Sequence, residues 1–206
     1  MQPGGNTEPI KVFDIKGEQK MIINDSILEV FFIDIYYDPL LNKSYIITGN
    51  INLVTSFDYD KNQKYNEYYE ENDNNLKEYH KSFVITKNEN ITKLIESSST
   101  KYIKIFNFHS GEILNKIKLG DSGDYNLYSI CLWNEDNLFI ASGKSSILKD
   151  GPYIILIDLQ KKNNIKYIKT DHNDRIISIK KLIHPKYGEC LLSQGIGKDK
   201  IKLWKN

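Results

Sequence analysis

The sequence predicts an all-β fold assembled from repeated four-stranded units, and two observations carry that expectation. The first is internal repetition. Residues 10–15 (IKVFDI), 54–59 (VTSFDY), 103–108 (IKIFNF), 154–159 (IILIDL) and 201–206 (IKLWKN) share one pattern. Each alternates β-formers, reaches an aromatic residue or Ile, and in four of the five then turns to an acid or amide. The fourth residues, Phe13, Phe57, Phe106, Ile157 and Trp204, are spaced 44, 49, 51 and 47 residues apart. The second observation is periodicity. No stretch repeats apolar residues at helical spacing, whereas Val, Ile, Tyr, Phe and Thr are plentiful and alternate, as half-buried strands require. Doubly wound folds need helical crossovers of about a dozen residues between strands, and the chain has no room for them.

Taken in order, residues 1–9 are Gly, Pro and polar and are expected to be a disordered N-terminal segment. Residues 10–15 and 19–24 then supply two strands of a partial unit. Each later landmark follows an apolar run that ends in small residues: 45–49 (YIITG), 94–98 (LIESS), 139–143 (FIASG) and 191–195 (LLSQG). Such a run reads as a buried strand entering a tight turn. Upstream of these lie 31–36, 82–86, 127–133 and 176–179, and downstream of the landmarks come more polar segments such as 112–119 and 164–169. Four strands per unit follow. Repeats of this kind, at about 40–45 residues each, predict the blades of a β-propeller.

The boundaries are a partial blade at 10–25, full blades at 26–73, 74–124 and 125–170, and a partial last blade at 171–206. The expected architecture is a partial β-propeller of about four four-stranded blades. The two partial blades would together hold five strands where four fit, so simple ring closure is not expected. The open ends then predict exposed apolar residues, Val12, Phe13 and Ile15 at one end and Ile201, Leu203 and Trp204 at the other. Self-association, or further blades in a longer chain, would cover them. Other propeller families and a plain β-sandwich are the alternative folds.

From about residue 10 onward the repeats resemble the WD-repeat family. The last unit carries the resemblance best: Asp171-His172 stands at the Gly-His pair, Ile176 and Ile179 at the apolar positions of the first strand, and Leu203-Trp204-Lys205 at the Trp-Asp signature. The resemblance implies a hydrogen-bonded relay within the blade, with His172, Ser193, Asp199 and Trp204 as its members here. Asp171 replaces the Gly, Lys205 replaces the Asp, and Asp199 sits one residue nearer the Trp than the family spacing. Elsewhere the Trp position holds Phe or Ile, and His80 is the other histidine at a Gly-His place.

Catalytic and cofactor motifs are missing. His80, His109, His172 and His184 have no partner at a metal-ligand spacing, and Cys131 and Cys190 lie far from any CxxC pattern, so neither metal nor cofactor is expected. Ser142-Gly143-Lys144-Ser145 lacks the earlier Gly and the helix of a phosphate loop, and Gly195-Ile196-Gly197 lacks the third Gly of a dinucleotide fingerprint. Both read as glycine turns. The chain has 206 residues, 28 Lys and Arg against 27 Asp and Glu, and a net charge of +1. Global charge therefore does not select a polyanion. Locally, residues 58–78 hold seven acids against three lysines, and residues 160–206 hold twelve Lys and Arg against four acids. Both read as solvated faces, with docking to a charged partner as the functional alternative.

These features predict a non-catalytic scaffold that binds other proteins or peptides, in the cytoplasm or nucleus and not secreted, without membrane or nucleic-acid partners. A regulatory or substrate-binding part of a larger enzyme, or a propeller hydrolase, is the alternative. A third option is a phosphoinositide or nucleic-acid site, should the C-terminal lysines converge. The candidate partner-binding residues are Lys144, Lys149, Arg175 and Lys198, expected to form a basic arc on one face.

Overall fold

A computed structural model describes residues 9–23, 30–51, 53–70, 79–88, 91–100, 102–119, 127–134, 137–142, 152–161, 165–196 and 201–205. Among these residues the structure is all strand and turn, with seventeen strands and no helix. Among the described residues, therefore, no helix is long and apolar enough to cross a membrane. The strands form five antiparallel sheets of consecutive order. They are β1 (Ile10–Phe13) and β2 (Gln19–Ile23); β3 (Phe32–Asp38) to β6 (Gln63–Tyr68) through β4 (Lys43–Gly49) and β5 (Val54–Asp58); and β7 (His80–Asn88) to β10 (Ile113–Lys118) through β8 (Ile91–Ser98) and β9 (Tyr102–Asn107). Then come β11 (Leu127–Leu132), β12 (Asn137–Ser142), β13 (Tyr153–Asp158) and β14 (Ile165–Lys169), and finally β15 (Ile176–His184), β16 (Gly188–Gly195) and β17 (Ile201–Lys205). Each of the last four landmark segments is the third strand of its sheet, and the first pairs β1 with β2.

The acid or amide that follows four of the landmarks has a physical reason. Asp58 Oδ1 accepts the backbone N–H groups of Asp60 and Lys61. Asn107 Oδ1 accepts those of His109 and Ser110, and Asp158 Oδ1 those of Gln160 and Lys161. Asp14 Oδ1 does the same for Lys16 and Glu18. Each side chain stands in for a backbone carbonyl and fixes the turn into the fourth strand. Two of these turns close on a glycine in the left-handed region, Gly17 at φ 83° and Gly111 at φ 77°, and Asn62 serves at φ 51°. A glycine costs no Cβ clash there, and asparagine tolerates the conformation.

The chain divides into two compact units, 1–80 and 81–206. In the first, Met21 and Ile23 of β2 pack with Ile46 and Phe57 of the second sheet, and Ile10 and Val12 flank that core. Val12 is thus partly covered, unlike Phe13 and Ile15, which are exposed as expected. Val12 alternates to the face that meets Ile46. On the partner face of the second sheet, Tyr45 and Tyr65 rings lie 4.7 Å apart and Tyr68 bonds the Ser56 hydroxyl at 3.1 Å. Burial holds the Tyr45 and Tyr68 phenols well above the usual range. Asp58, counted with the acidic segment in the sequence, is buried in its turn and pairs with Lys43 at 3.3 Å, so it is no part of a solvated face.

In the second unit three sheets stack face to face. Ile95, Ile103, Ile105 and Ile117 of one sheet share a core with Ile130, Leu138, Ile140, Ile155 and Ile157 of the next. The opposite face of that middle sheet offers Cys131 and Ile154 to Ile176, Ile179 and Leu191 of the last. Strand β13 shows why its sequence is a nearly continuous apolar run: Ile155 and Ile157 face one neighbour, Ile154 the other.

Candidate functional site

The last sheet contains a polar chain in its interior. His172 Nε2 lies 2.8 Å from Ser193 Oγ, and the Trp204 indole N–H donates to the same oxygen at 2.8 Å. Indole nitrogen is a donor only, so Ser193 accepts from it, and its own proton can reach His172 Nε2 when the ring proton is on Nδ1. His172 and Ser193 are 4% and 1% exposed. Three of the four relay candidates therefore meet; Asp199 lies outside the described residues. Trp204, expected to be exposed, turns inward to make this bond and is only partly exposed, whereas Ile201 and Leu203 are exposed. Two of the three departures from the family pattern, Asp171 and Lys205, acquire new partners. Asp171 takes Lys202 at 2.6 Å, which holds its carboxyl below the ordinary range, and the Lys205 ammonium sits 4.7 Å from the Tyr187 ring centre.

A second linkage runs between sheets and was not read from the sequence. The Ile130 amide donates to Ser82 Oγ at 3.1 Å, and the Ile179 amide to Ser129 Oγ at 3.2 Å. In both cases the serine lies near the start of a sheet's first strand and holds the first strand of the sheet that follows. The register of β11 and of β15 shifts at this level, between Leu127 and Ser129 and between Ile176 and Ser178. Both strands stand at the edge of their sheets, so amides on their outer side have no ladder partner, and the serine of the preceding sheet satisfies one of them.

Solved structures share this fold. That of U3-55K matches 96% of this chain with a TM-score of 0.68 at 14% identity, and that of RRP9 WD40 repeats matches with the same coverage, score and identity. The computationally designed Ika4 protein matches 92% of this chain and 98% of its own, with a TM-score of 0.57 at 10% identity. The fold is that of WD40 repeats. The chain spans about half the length of the first two, 54% of each. No family model and no curated protein matches the sequence.

Within the WD40-repeat fold, the serine linkage brings the starts of successive first strands together, and there a charged cluster forms. Lys81 is the second residue of β7, Tyr128 the second of β11, and Arg175 immediately precedes β15. Arg175 Nη1 donates to the Tyr128 hydroxyl at 3.2 Å, with its guanidinium carbon 5.6 Å from the ring centre. The Lys81 ammonium lies 4.4 Å from the centre of the same ring. Burial, then the charge of Arg175, holds the Lys81 ammonium below its ordinary pKa. Of the four residues expected to form a basic arc, Arg175 is in this cluster, and Lys144, Lys149 and Lys198 lie outside the described residues. Lys81 and Tyr128 were missed because each is an ordinary strand residue in the sequence, and only the stacking of repeats joins them.

A cavity of about 460 Å³ opens elsewhere in the WD40-repeat fold, between the last two sheets. Trp133, Phe139, Ile154, Leu156, Ile168 and Trp204 are among the residues that line it. These side chains offer apolar surface and no acid–base pair. Of the other histidines, His80 is buried at the start of β7, His109 sits in a turn beside Phe108, and His184, expected in a turn, is the last residue of β15, where its Nδ1 accepts the Lys186 amide at 3.1 Å.

Proposed function

We propose that the chain is a non-catalytic protein-binding scaffold whose docking surface lies at the starts of the first strands. The observation that carries this reading is the meeting of Lys81, Tyr128 and Arg175, contributed by three sheets, around one aromatic ring. Aromatic and arginine side chains are favoured in protein interfaces, and a surface assembled from separate repeats is how stacked units recognise a partner. A hydrolytic reading finds its best candidate pair in His172 and Ser193. That pair is buried, and the serine oxygen already accepts the Trp204 N–H, so it serves cohesion. Cys131 and Cys190 are free, buried thiols, which supports placement in the reducing cytoplasm or nucleus.

Affinity capture from native extract tests the scaffold reading. Wild-type protein is expected to retain a protein that the Lys81→Glu/Arg175→Glu variant loses at an unchanged melting temperature. The same proteins retained by both would contradict it. Self-association is a second reading, favoured by the exposure of Phe13 and Ile15 near β1 and of Ile201 and Leu203 on β17. Light scattering over a concentration series should show a mass that rises with concentration, and a constant monomer mass would reject it.

A further inference from the structure

Three features outside the relay have chemistry to offer: the apolar cavity beside Trp133 and Trp204, the exposed apolar edges of β1 and β17, and the cationic cluster on Tyr128. The charges of the last set it apart. Two cations occupy the surroundings of one phenol ring. Lys81 has no carboxylate within ion-pair reach among the described residues; its ammonium lies against the Tyr128 ring. Among the described residues Arg175 has one acid nearby, Asp174, with Oδ1 3.9 Å from Nε, and that oxygen already accepts the Arg175 backbone amide at 2.7 Å. The ring quadrupole attracts each cation only weakly and does not neutralise either charge. The Arg175 side chain is 46% exposed, so a ligand can reach it.

We propose that Lys81, Tyr128 and Arg175 form an oxyanion subsite that binds an acidic side chain, carboxylate or phosphorylated, of a partner protein. The inference rests on the scaffold reading and names the chemistry of its partner. An oxyanion seated between the two cations accepts from the Lys81 ammonium and from the guanidinium edge that Tyr128 leaves unused. Charge-assisted bonds of this kind are about twice as strong as neutral ones. Tyr128 positions Arg175 through its hydroxyl and carries Lys81 over its ring. The partly buried ammonium, held down in pKa by its burial and by Arg175, is stabilised once the anion arrives. Binding should therefore raise the Lys81 pKa.

The probes are inorganic phosphate, a capped peptide alternating serine and aspartate, the same peptide with phosphoserine at its centre, and an asparagine version as neutral control. Binding is followed by NMR of the lysine side-chain methylenes and by titration calorimetry on the full chain. The expected result is saturable binding of an acidic peptide, a rise in the Lys81 pKa, and no response to the asparagine peptide. Lys81→Met and Arg175→Gln should each weaken binding roughly tenfold, while Tyr128→Phe should weaken it less, since it keeps the ring. A stronger response to phosphoserine than to aspartate assigns a phosphorylated partner, and the reverse assigns a carboxylate. A response to free phosphate alone, or peptide binding that persists in Lys81→Met/Arg175→Gln, would overturn the proposal. Both variants are to be melted alongside wild type; if one fails to fold, Arg175→Lys, which keeps charge but loses the planar fork, replaces it and should still weaken binding. Acidic peptides that fail to bind, with partner capture still lost in Lys81→Glu/Arg175→Glu, would overturn the oxyanion assignment and leave the scaffold reading standing.

Discussion

The hydroxyl of Ser129 accepts the Ile179 amide at 3.2 Å, tying the first strand of one sheet to the first strand of the next. Ser82 and Ile130 repeat the bond one sheet earlier, 48 residues apart in sequence. Both serines are buried, so removing one hydroxyl strands an amide away from water. Ser129→Ala should cost about 1–3 kcal/mol in urea unfolding, and the Ile179 amide should exchange hydrogen faster than in wild type. An exchange rate at Ile179 equal to wild type would show that this bond is not what protects it.

The relay in the last sheet makes a second expectation. Ser193→Ala removes the acceptor of the Trp204 N–H and the neighbour of His172 at once, and should destabilise by about 1–3 kcal/mol. Trp204→Phe keeps the ring in the core and loses the donor. Residues bound in one network do not act independently, so the double variant should cost less than the two single variants added together. Strict additivity would separate the two residues energetically.

Asp58 links turn geometry to pH. Burial pushes its carboxyl pKa up, but the Lys61 amide and the Lys43 ammonium outweigh burial and leave it below the ordinary value. A depressed folded-state pKa contributes stability that is present above the unfolded pKa, near 3.9, and lost as pH falls through the lower folded value. Asp58→Asn keeps an acceptor for the turn but has no charge to lose. The stability gap between wild type and Asp58→Asn should be widest near neutral pH and close as acid is added through roughly pH 4 and below. A gap independent of pH would remove the charge from the account.

Gly49 ends β4 against the backbone of residue 80. A Cβ there would lie 2.6 Å from the His80 carbonyl oxygen, and backbone on both sides leaves little room to yield. His80 also donates its amide to the Asn50 carbonyl at 3.1 Å, which fixes the approach. Gly49→Ala should lower stability by about 1–3 kcal/mol, the usual range for overpacking, with a matching fall in melting temperature. An unchanged melting temperature would mean the two backbones separate freely.

Much of the fold was legible because each four-stranded unit writes the same alternation and turn chemistry into its sequence. The third strands could be located from Phe57, Phe106, Ile157 and Trp204, and the turn acids Asp58 and Asp158 marked where those strands stop. The meeting of His172, Ser193 and Trp204 could be anticipated because the resemblance fixes their relative places. The serine linkage was hidden, since Ser82 and Ser129 are unremarkable polar residues until stacking sets each beside an edge-strand amide of the next sheet. The cluster on Tyr128 was half visible: Arg175 stood out by charge, but Lys81 lies more than ninety residues before it in the sequence. Convergence of that kind is a property of stacking between repeats, which local sequence patterns do not record.

Site-specific photocrosslinking at the two ends of β15 tests the docking surface most directly. Ile177 is 37% exposed and lies two residues from Arg175, whereas Ile183, 78% exposed, sits at the far end of the same strand. A photoreactive phenylalanine at 177, introduced into the full chain in its native cells, should yield a discrete protein adduct that Lys81→Glu/Arg175→Glu abolishes. The same residue at 183 should yield none, despite its greater exposure. Adducts at 183 and not at 177, or an adduct at 177 that survives both charge reversals, would contradict a docking surface built from Lys81, Tyr128 and Arg175.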